Sequence, residues 1–396
     1  ISMDAISLAK GFRDRGHDVY FFTKPGGEHQ EMLDNTGIPV IAAPYSRWNP
    51  LLYNLNYRAY KILCQTIDRY DIDVIFSLHH TSYVLSLFAT LSRDVPVVHT
   101  LVWLTFNIYY PAYPGRVVFV AEEFLHQSKP CFRLEPRERY VIPNRVDLDM
   151  FHPRIEAGDF PRKYRLPDSR IKIAFMSRIN HAKFNSLLSA MEAAAILADR
   201  GMDVCLAIAG GGPYYDNLAK NSERINRKVG KEIVKLLGVV IDTSRVLAWS
   251  DIVFGIGRCA WEGMASGKPT LVVGEMGFAG TVSPENVKEL GYYNFAGRNL
   301  NCIVSPEVLA DEVVSIINDE ILYEELAKFA REYAEKEYDY REGVIKLEEV
   351  FRQSINDPPL TGAQKLRLLF SNMVFGYGYQ AYRGIRMILR NLIRGK

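Results

Sequence analysis

Ten short runs rich in Val, Ile and Phe punctuate the chain, and helical patterns lie between them. Strands fit residues 18–23, 39–43, 73–78, 96–101, 116–121 and 140–142, then 171–176, 203–209, 251–254 and 270–273. Most are unbroken apolar runs, the mark of strands covered on both faces and hence of parallel sheets. Helices fit 4–15, 53–69, 82–92 and 122–129, then 184–200, 213–229, 259–266, 306–318, 320–337 and 340–355. Gly16, just past the first helix, reads as a C-terminal stop. Two successive β/α series predict two doubly wound α/β domains, and 396 residues suffice for both cores. The expected division is 1–145, 146–338, a closing helix over 339–357 returning toward the first domain, and a helical extension over 358–396. Pro143–Asp147 and the polar, proline-punctuated stretch 151–169 read as linker. The chain starts at Ile1 and enters a helix at once, so the strand and turn that should precede that helix are expected to be missing. Such folds bind ligands at the carboxyl ends of their strands, which points to the cleft between the domains.

Composition excludes several classes. With 48% apolar and 24% charged residues the chain is globular, and its net charge of +2 gives no reason to expect nucleic acid. Five scattered cysteines without a Cys-x-x-Cys suggest reduced thiols in a cytosolic protein. Eight histidines show no metal-ligand spacing. The Asp-x-Asp at Asp71 and Asp73 precedes a strand of the first domain, so no catalytic metal is expected. No apolar run reaches spanning length, and no signal peptide is visible.

The second half repeats one device three times: an apolar strand, a short loop of special residues, a helix. The loops hold Ser177 and Arg178 with Lys183 beyond, then Gly210, Gly211 and Gly212 before Pro213, then Gly255, Gly257 and Arg258 before Glu262. Strand-end loops poor in side chains and rich in amides make an anion floor, which Arg178 and Lys183 can reach. Each element taken alone has a plainer reading as a tight turn, a surface charge or a helix-dipole partner; the case rests on their convergence at one sheet edge. Gly255 to Ala260 also fits the dinucleotide fingerprint G-x-G-x-x-[GA], with Glu275 about 20 residues on. Two things argue against NAD. The following helix is short, and this is the last phosphate loop of its domain where the fingerprint belongs to the first.

Together these residues resemble the retaining glycosyltransferases of family 4, which have the GT-B fold. The resemblance covers roughly residues 5–355. Residues 141–153, with Pro143, Asn144, Val146, Asp147, Phe151 and Pro153, resemble the family's "IPNGVD…F.P" linker. Arg178 with Lys183 resembles "GR…K", residues 206–213 resemble "L.I.G.GP", residues 249–254 resemble "..ADvf", and residues 262–269 resemble "EAMA.GKP". Arg15 to Val19 resembles "RGHeV". The resemblance implies two Rossmann-like domains facing a cleft and transfer of a sugar from a nucleotide-diphosphate sugar with retention. A UDP-sugar is favoured and a GDP-sugar possible; the acceptor would be a lipid-linked or polysaccharide precursor. Arg178 and Lys183 would stabilise the departing β-phosphate, and His99, with His79 and His80 behind it, would be the first-domain histidine. Ser177, the Gly210–Gly212 and Gly255–Arg258 loops and Glu262 would hold the donor, Glu262 through the ribose. No cofactor and no metal are implied. The sequence departs from the pattern at Phe254, where a second Glu is usual, and at Arg145 and Phe184, where Gly is usual. A nucleotide-sugar epimerase or an inactive sugar-nucleotide-binding module on the same fold are the competing readings.

The tail stands outside the resemblance. Residues 361–396 carry seven cations and no acid, so the whole-chain charge of +2 leaves −5 on residues 1–360. Arg383, Arg386, Arg390 and Arg394 share one helical stripe, beside Tyr382, Ile385, Leu389 and Ile393. This pattern predicts either a packed helix with a solvated basic face or, as we favour, an interfacial helix on anionic lipid. The expected location is cytoplasmic, peripheral on the inner membrane face.

Overall fold

The structure, a computed structural model, describes residues 3–24, 26, 29–44, 56–78, 80–102, 109–110, 115–130, 136–371, 373–374 and 378. The expectations for Cys131, for His79 and for the tail helix beyond residue 378 lie outside these residues. Two compact units are present, one formed by Ile1–Pro143 with Gly343–Lys396 and the other by Asn144–Glu342.

The first unit opens with α1 (Met3–Asp14), β1 (Phe21–Thr23), α2 (Gln30–Asp34), β2 (Val40–Ala42) and α3 (Tyr57–Tyr70). It continues through β3 (Ile75–Ser77), α4 (His80–Arg93), β4 (Val97–Leu101), β5 (Tyr109–Tyr110), β6 (Arg116–Phe119), α5 (Glu122–Gln127), β7 (Lys129–Pro130) and β8 (Glu138–Val141). Strands β3, β4, β6 and β8 form a parallel sheet in that order, and β1 pairs with β2, also in parallel. The stop after α1 is a Schellman turn: Gly16 has φ +91°, its amide donates to Arg13 O (2.9 Å), and the His17 amide donates to Phe12 O (3.2 Å).

The second unit runs α6 (Phe160–Lys163), β9 (Ile171–Met176), α7 (Phe184–Asp199), β10 (Val204–Ala209), α8 (Tyr215–Val229), β11 (Val234–Gly238), α9 (Thr243–Trp249), β12 (Ile252–Gly255), α10 (Arg258–Ala265), β13 (Thr270–Gly274), β14 (Gly277–Thr281), α11 (Val287–Tyr292), α12 (Pro306–Asn318) and α13 (Glu320–Tyr338). Its sheet order is β11-β10-β9-β12-β13-β14, parallel except for the last strand. Strands β9, β10, β12 and β13 bury nearly every residue, as their unbroken apolar runs required. The sequence reading passed over β11 and β14. Strand β11 is half-buried and carries Lys235, so its apolar run is broken. Strand β14 contains Gly277 and Gly280, poor strand formers tolerated at an antiparallel edge.

Helix α14 (Tyr340–Ile355) leads back into the first unit. There Phe351 stacks on Phe12 at 5.1 Å, and Glu348 accepts from Arg15 Nε (2.6 Å) and pairs with His17 Nε2 (2.8 Å). Its end is tied to β6 by Arg116, largely buried, which donates from Nε and Nη2 to the two carboxylate oxygens of Asp357 (3.0 Å each). Arg116 also meets Glu138, Tyr140 and Gln353, while Arg137 adds a third contact to Asp357 (2.6 Å). Burial alone would raise the Asp357 carboxyl, but Arg116 and Arg137 hold it below the usual range.

Candidate donor site

In the second unit, β9, β10 and β11 are laid down to one side and the chain then returns to place β12 on the other side of β9. The order reverses between β9 and β12. That reversal opens a crevice at their carboxyl ends, where doubly wound sheets bind ligands. The three loops singled out in the sequence leave β9, β10 and β12, so all of them reach this edge.

The loop after β9 holds Ser177, Arg178 and a 3₁₀ turn at His181–Lys183, capped by Asn180, whose Oδ1 accepts from Lys183 N (3.2 Å). The β9 and β10 loops lock together: Ser177 N donates to Ala209 O (2.9 Å), Ile179 N to Gly211 O (3.0 Å) and Tyr214 N to Ile179 O (3.2 Å). Two glycines make this approach possible. A Cβ at Gly210 would stand 1.9 Å from Ser177 O, and one at Gly212 would stand 2.3 Å from Ile179 O. Both also have φ near +150°.

Two of the expected amide donors are already spent. Gly210 N donates to Gly238 O (2.7 Å) and Gly257 N to Phe295 O (2.8 Å). These glycines shape their loops and leave the anion to other groups. The cations are better placed for that. Lys183 is half-buried, and Arg178 is exposed close by. Among the described residues neither has a carboxylate within ion-pair distance. Burial pushes the Lys183 ammonium below its usual range; Cys259 opposes this, and repulsion from Arg178 adds a smaller push in the same direction as burial. A half-buried lysine without an acid is a preformed anion partner.

Across the crevice, α10 presents Glu262, 4% exposed, in its first turns. The sequence reading missed its partner: Arg258 Nε donates to Glu262 Oε1 at 2.5 Å. The signal was the i,i+4 spacing. Helix α10 is held firmly. Trp261 stacks on Tyr338 at 5.5 Å, and Arg331 donates to Ala265 O, at the last residue of the helix, and to Phe151 O (2.9 Å). Cys259 is buried, and its thiol is pushed up to about 12 by burial first and Glu262 next, so it is no nucleophile. Phe254 lies wholly inside the core, where a second carboxylate would have been buried.

Other candidates fall elsewhere. His99 is 4% exposed in β4 of the first unit; its Nδ1 meets Ser77 O at 3.1 Å and its ring stacks on Tyr83 at 4.3 Å. Ser77 and Tyr83 thus hold the ring within its own sheet. A second Asp-x-Asp, Asp147 and Asp149, escaped the motif reading. Asp147 Oδ1 accepts from the amides of Asp149 (3.0 Å) and Met150 (3.3 Å), and Asp149 pairs with Arg341, so both carboxylates serve the turn and its anchoring. Arg145, at the family's glycine position, is 2% exposed and donates through Nη1 to Glu337 O near the end of α13.

Residues 4–150 match the family model for Glycosyltransferase Family 4. The fold resembles that of a glycosyltransferase from Rickettsia africae, with a TM-score of 0.68 at 19% identity over 90% of this chain and 95% of the other. It also resembles Anabaena Alr3699/HepE in complex with UDP-glucose (TM-score 0.66, 18% identity, 89% and 95% covered). A third likeness is to the sucrose-phosphate synthase of Thermosynechococcus elongatus (TM-score 0.63, 16% identity, 87% and 91% covered). No curated protein matches by sequence. The fold is therefore GT-B, and with the match over residues 4–150 these findings support a glycosyltransferase of the family-4 type.

Proposed function

We propose that this family-4-type glycosyltransferase moves a sugar from a nucleotide-diphosphate sugar, by preference a UDP-sugar, to a lipid-linked or polysaccharide-precursor acceptor, with retention and without a metal. The observation that carries the reading is the pair of acid-free cations, Lys183 and Arg178, at the point where the strand order reverses. The preference for uridine leans on the Anabaena protein, whose structure holds UDP-glucose.

In the reaction the acceptor hydroxyl bonds to the anomeric carbon as the bond from that carbon to the β-phosphate oxygen breaks. The acceptor's proton passes to the departing phosphate on the same face. Negative charge grows on the diphosphate, and Lys183 and Arg178 meet it. They are aligned beforehand by Asn180 and the locked β9 and β10 loops, so little reorganisation is needed. Glu262 accepts from the two ribose hydroxyls, with Arg258 orienting its carboxyl group. The acid-free tail brings the enzyme to the cytoplasmic face of the membrane, where a lipid-linked acceptor resides.

The test has two parts. Thermal shift against UDP, GDP, ADP and their sugars should select uridine, and the product's anomeric configuration, read by NMR in EDTA, should match the donor's. An inverted linkage, or activity lost in EDTA and restored by Mg²⁺ or Mn²⁺, refutes the mechanism. Consumption of donor to an isomerised nucleotide sugar without acceptor would favour an epimerase.

A further inference from the structure

The tail begins as a deliberate helix. Thr361 and Gln364 form a capping box: Thr361 Oγ1 accepts from Gln364 N (3.3 Å) and Gln364 Oε1 accepts from Thr361 N (2.9 Å). The helix over 362–371 is fastened to the first unit on one side. Leu368 is fully buried in the cluster of Tyr83, Leu87, Val97, Val117 and Phe119. Lys365 Nζ pairs with Asp94 (2.5 Å), and Ser371 is buried with its hydroxyl on Arg367 O (2.6 Å).

The opposite side is apolar and uncovered. Leu366 is 70% exposed, Phe370 66%, Met373 42% and Val374 39%. At 100° per residue these four fall within one arc of about 100°. Among the described residues the other exposed large apolar side chains lie elsewhere, on other helices and in loops. A helix stapled by its inner face, with phenyl and leucyl groups turned outward, needs something to cover it.

We infer that Leu366, Phe370, Met373 and Val374 form the edge by which the first unit seats in an anionic lipid bilayer. Charge selects this occupant. Arg367 flanks the stripe, and the sequence from 361 onward has no acid and seven cations, of which Lys365 is already paired with Asp94. A second copy meeting this edge would set like charge against like, and the chain's own terminal residues carry the same sign. Acidic headgroups complement the cations while the acyl boundary takes the apolar stripe. Among the described residues no helix is long and apolar enough to cross a membrane, so the attachment lies in the interface. The inference rests on the proposed function only in that a lipid-linked acceptor would then be presented at this edge; the binding itself is independent of the donor site.

The test is flotation of the full chain with two vesicles, phosphatidylcholine alone and phosphatidylcholine with about one-third phosphatidylglycerol. The chain should float with the anionic vesicle alone and detach at about 1 M salt, where the screening length falls to about 3 Å. The double substitution Leu366→Ser, Phe370→Ser touches exposed positions and should leave far-UV circular dichroism and UDP binding unchanged. Its vesicle affinity should fall about tenfold or more, for two large side chains no longer buried. Failure of the full chain to bind anionic vesicles, equal binding to neutral ones, or undiminished binding of the double variant overturns the inference. So does a concentration-dependent dimer in light scattering that the double variant abolishes, because a second copy then covers the edge. UDP binding, measured on the same samples, shows whether the donor-site reading stands or falls separately.

Discussion

Replacing Lys183 should push activity and stability in opposite directions. Lys183 is half-buried, lacks a carboxylate partner among the described residues, and is repelled by Arg178. In the ligand-free protein that ammonium is a burden. Full burial of an unpaired ion costs several kcal/mol, and half-burial reduces this to about 1 kcal/mol. Lys183→Met keeps the stem and removes the charge, so the ligand-free second unit should become more stable by about that amount. For a unit of about 200 residues, 1 kcal/mol corresponds to roughly 2–4 °C in Tm. The donor reverses the balance. Two unit charges about 4 Å apart at an effective dielectric constant of about 20 attract by about 4 kcal/mol, and part of this is spent on desolvation. Loss of one preorganised donor of this kind lowers kcat by on the order of 10²–10³.

The assay is differential scanning calorimetry with and without UDP, alongside donor turnover. Lys183→Met should melt higher than wild type without UDP, gain less from UDP, and turn over about 10²–10³ more slowly. A variant that melts lower without ligand and keeps most of its activity would show Lys183 to be structural, and the anion site would have to be sought elsewhere. The alkaline limb adds a check. Because burial depresses the Lys183 pKa, kcat/KM should begin to fall below the pH at which an exposed lysine loses its proton, and the limb should vanish in Lys183→Met.

Arg116→Met should destabilise the first unit by about 1–3 kcal/mol, because it removes two of the bonds to the Asp357 carboxylate and leaves Arg137 as its remaining cation; urea unfolding measures it. Asp357 and Glu348 both have depressed folded pKa values, so their contribution is complete above the ordinary carboxylate range and is lost as pH falls through the folded values; Asp357→Asn should flatten that acid limb in thermal melts. Gly210→Ala should abolish donor binding in calorimetry, since its Cβ would stand 1.9 Å from the Ser177 carbonyl oxygen. Arg145→Met should be neutral or slightly stabilising in thermal melts, because it exchanges a deeply buried cation for an apolar side chain of similar length.

What the sequence disclosed follows from where free energy is concentrated. Strands β9, β10, β12 and β13 are covered on both faces, so burial wrote itself into runs such as Ile171–Met176 and Val204–Ala209. The stop at Gly16 was legible because a helix end of this kind demands a residue that tolerates positive φ. Strands β11 and β14 were not. An edge strand needs only one buried face, and Lys235 or a glycine pair breaks the run without harm. In the site the loops were found because Gly210 and Gly212 are steric necessities, but the reason was misread: glycine was taken to free its amide, whereas the Gly210 amide is bound to Gly238 O. Spacing can reveal that a loop is tight. It does not reveal which hydrogen bonds the tightness consumes.

Arg258 shows what a motif leaves out. As a letter between Gly257 and Glu262 it marked a loop, and its amide was the part that counted. In the structure its side chain is what matters, because Glu262 is 4% exposed and Arg258 gives that buried carboxyl a charged hydrogen-bond partner. Lys183 sits across the crevice as a cation without an acid, and Glu262 as an acid with its own cation. The β9 side therefore carries cations without an acid among the described residues and the β12 side an ion pair, an asymmetry that would suit the proposed donor, whose diphosphate is charged and whose ribose is not.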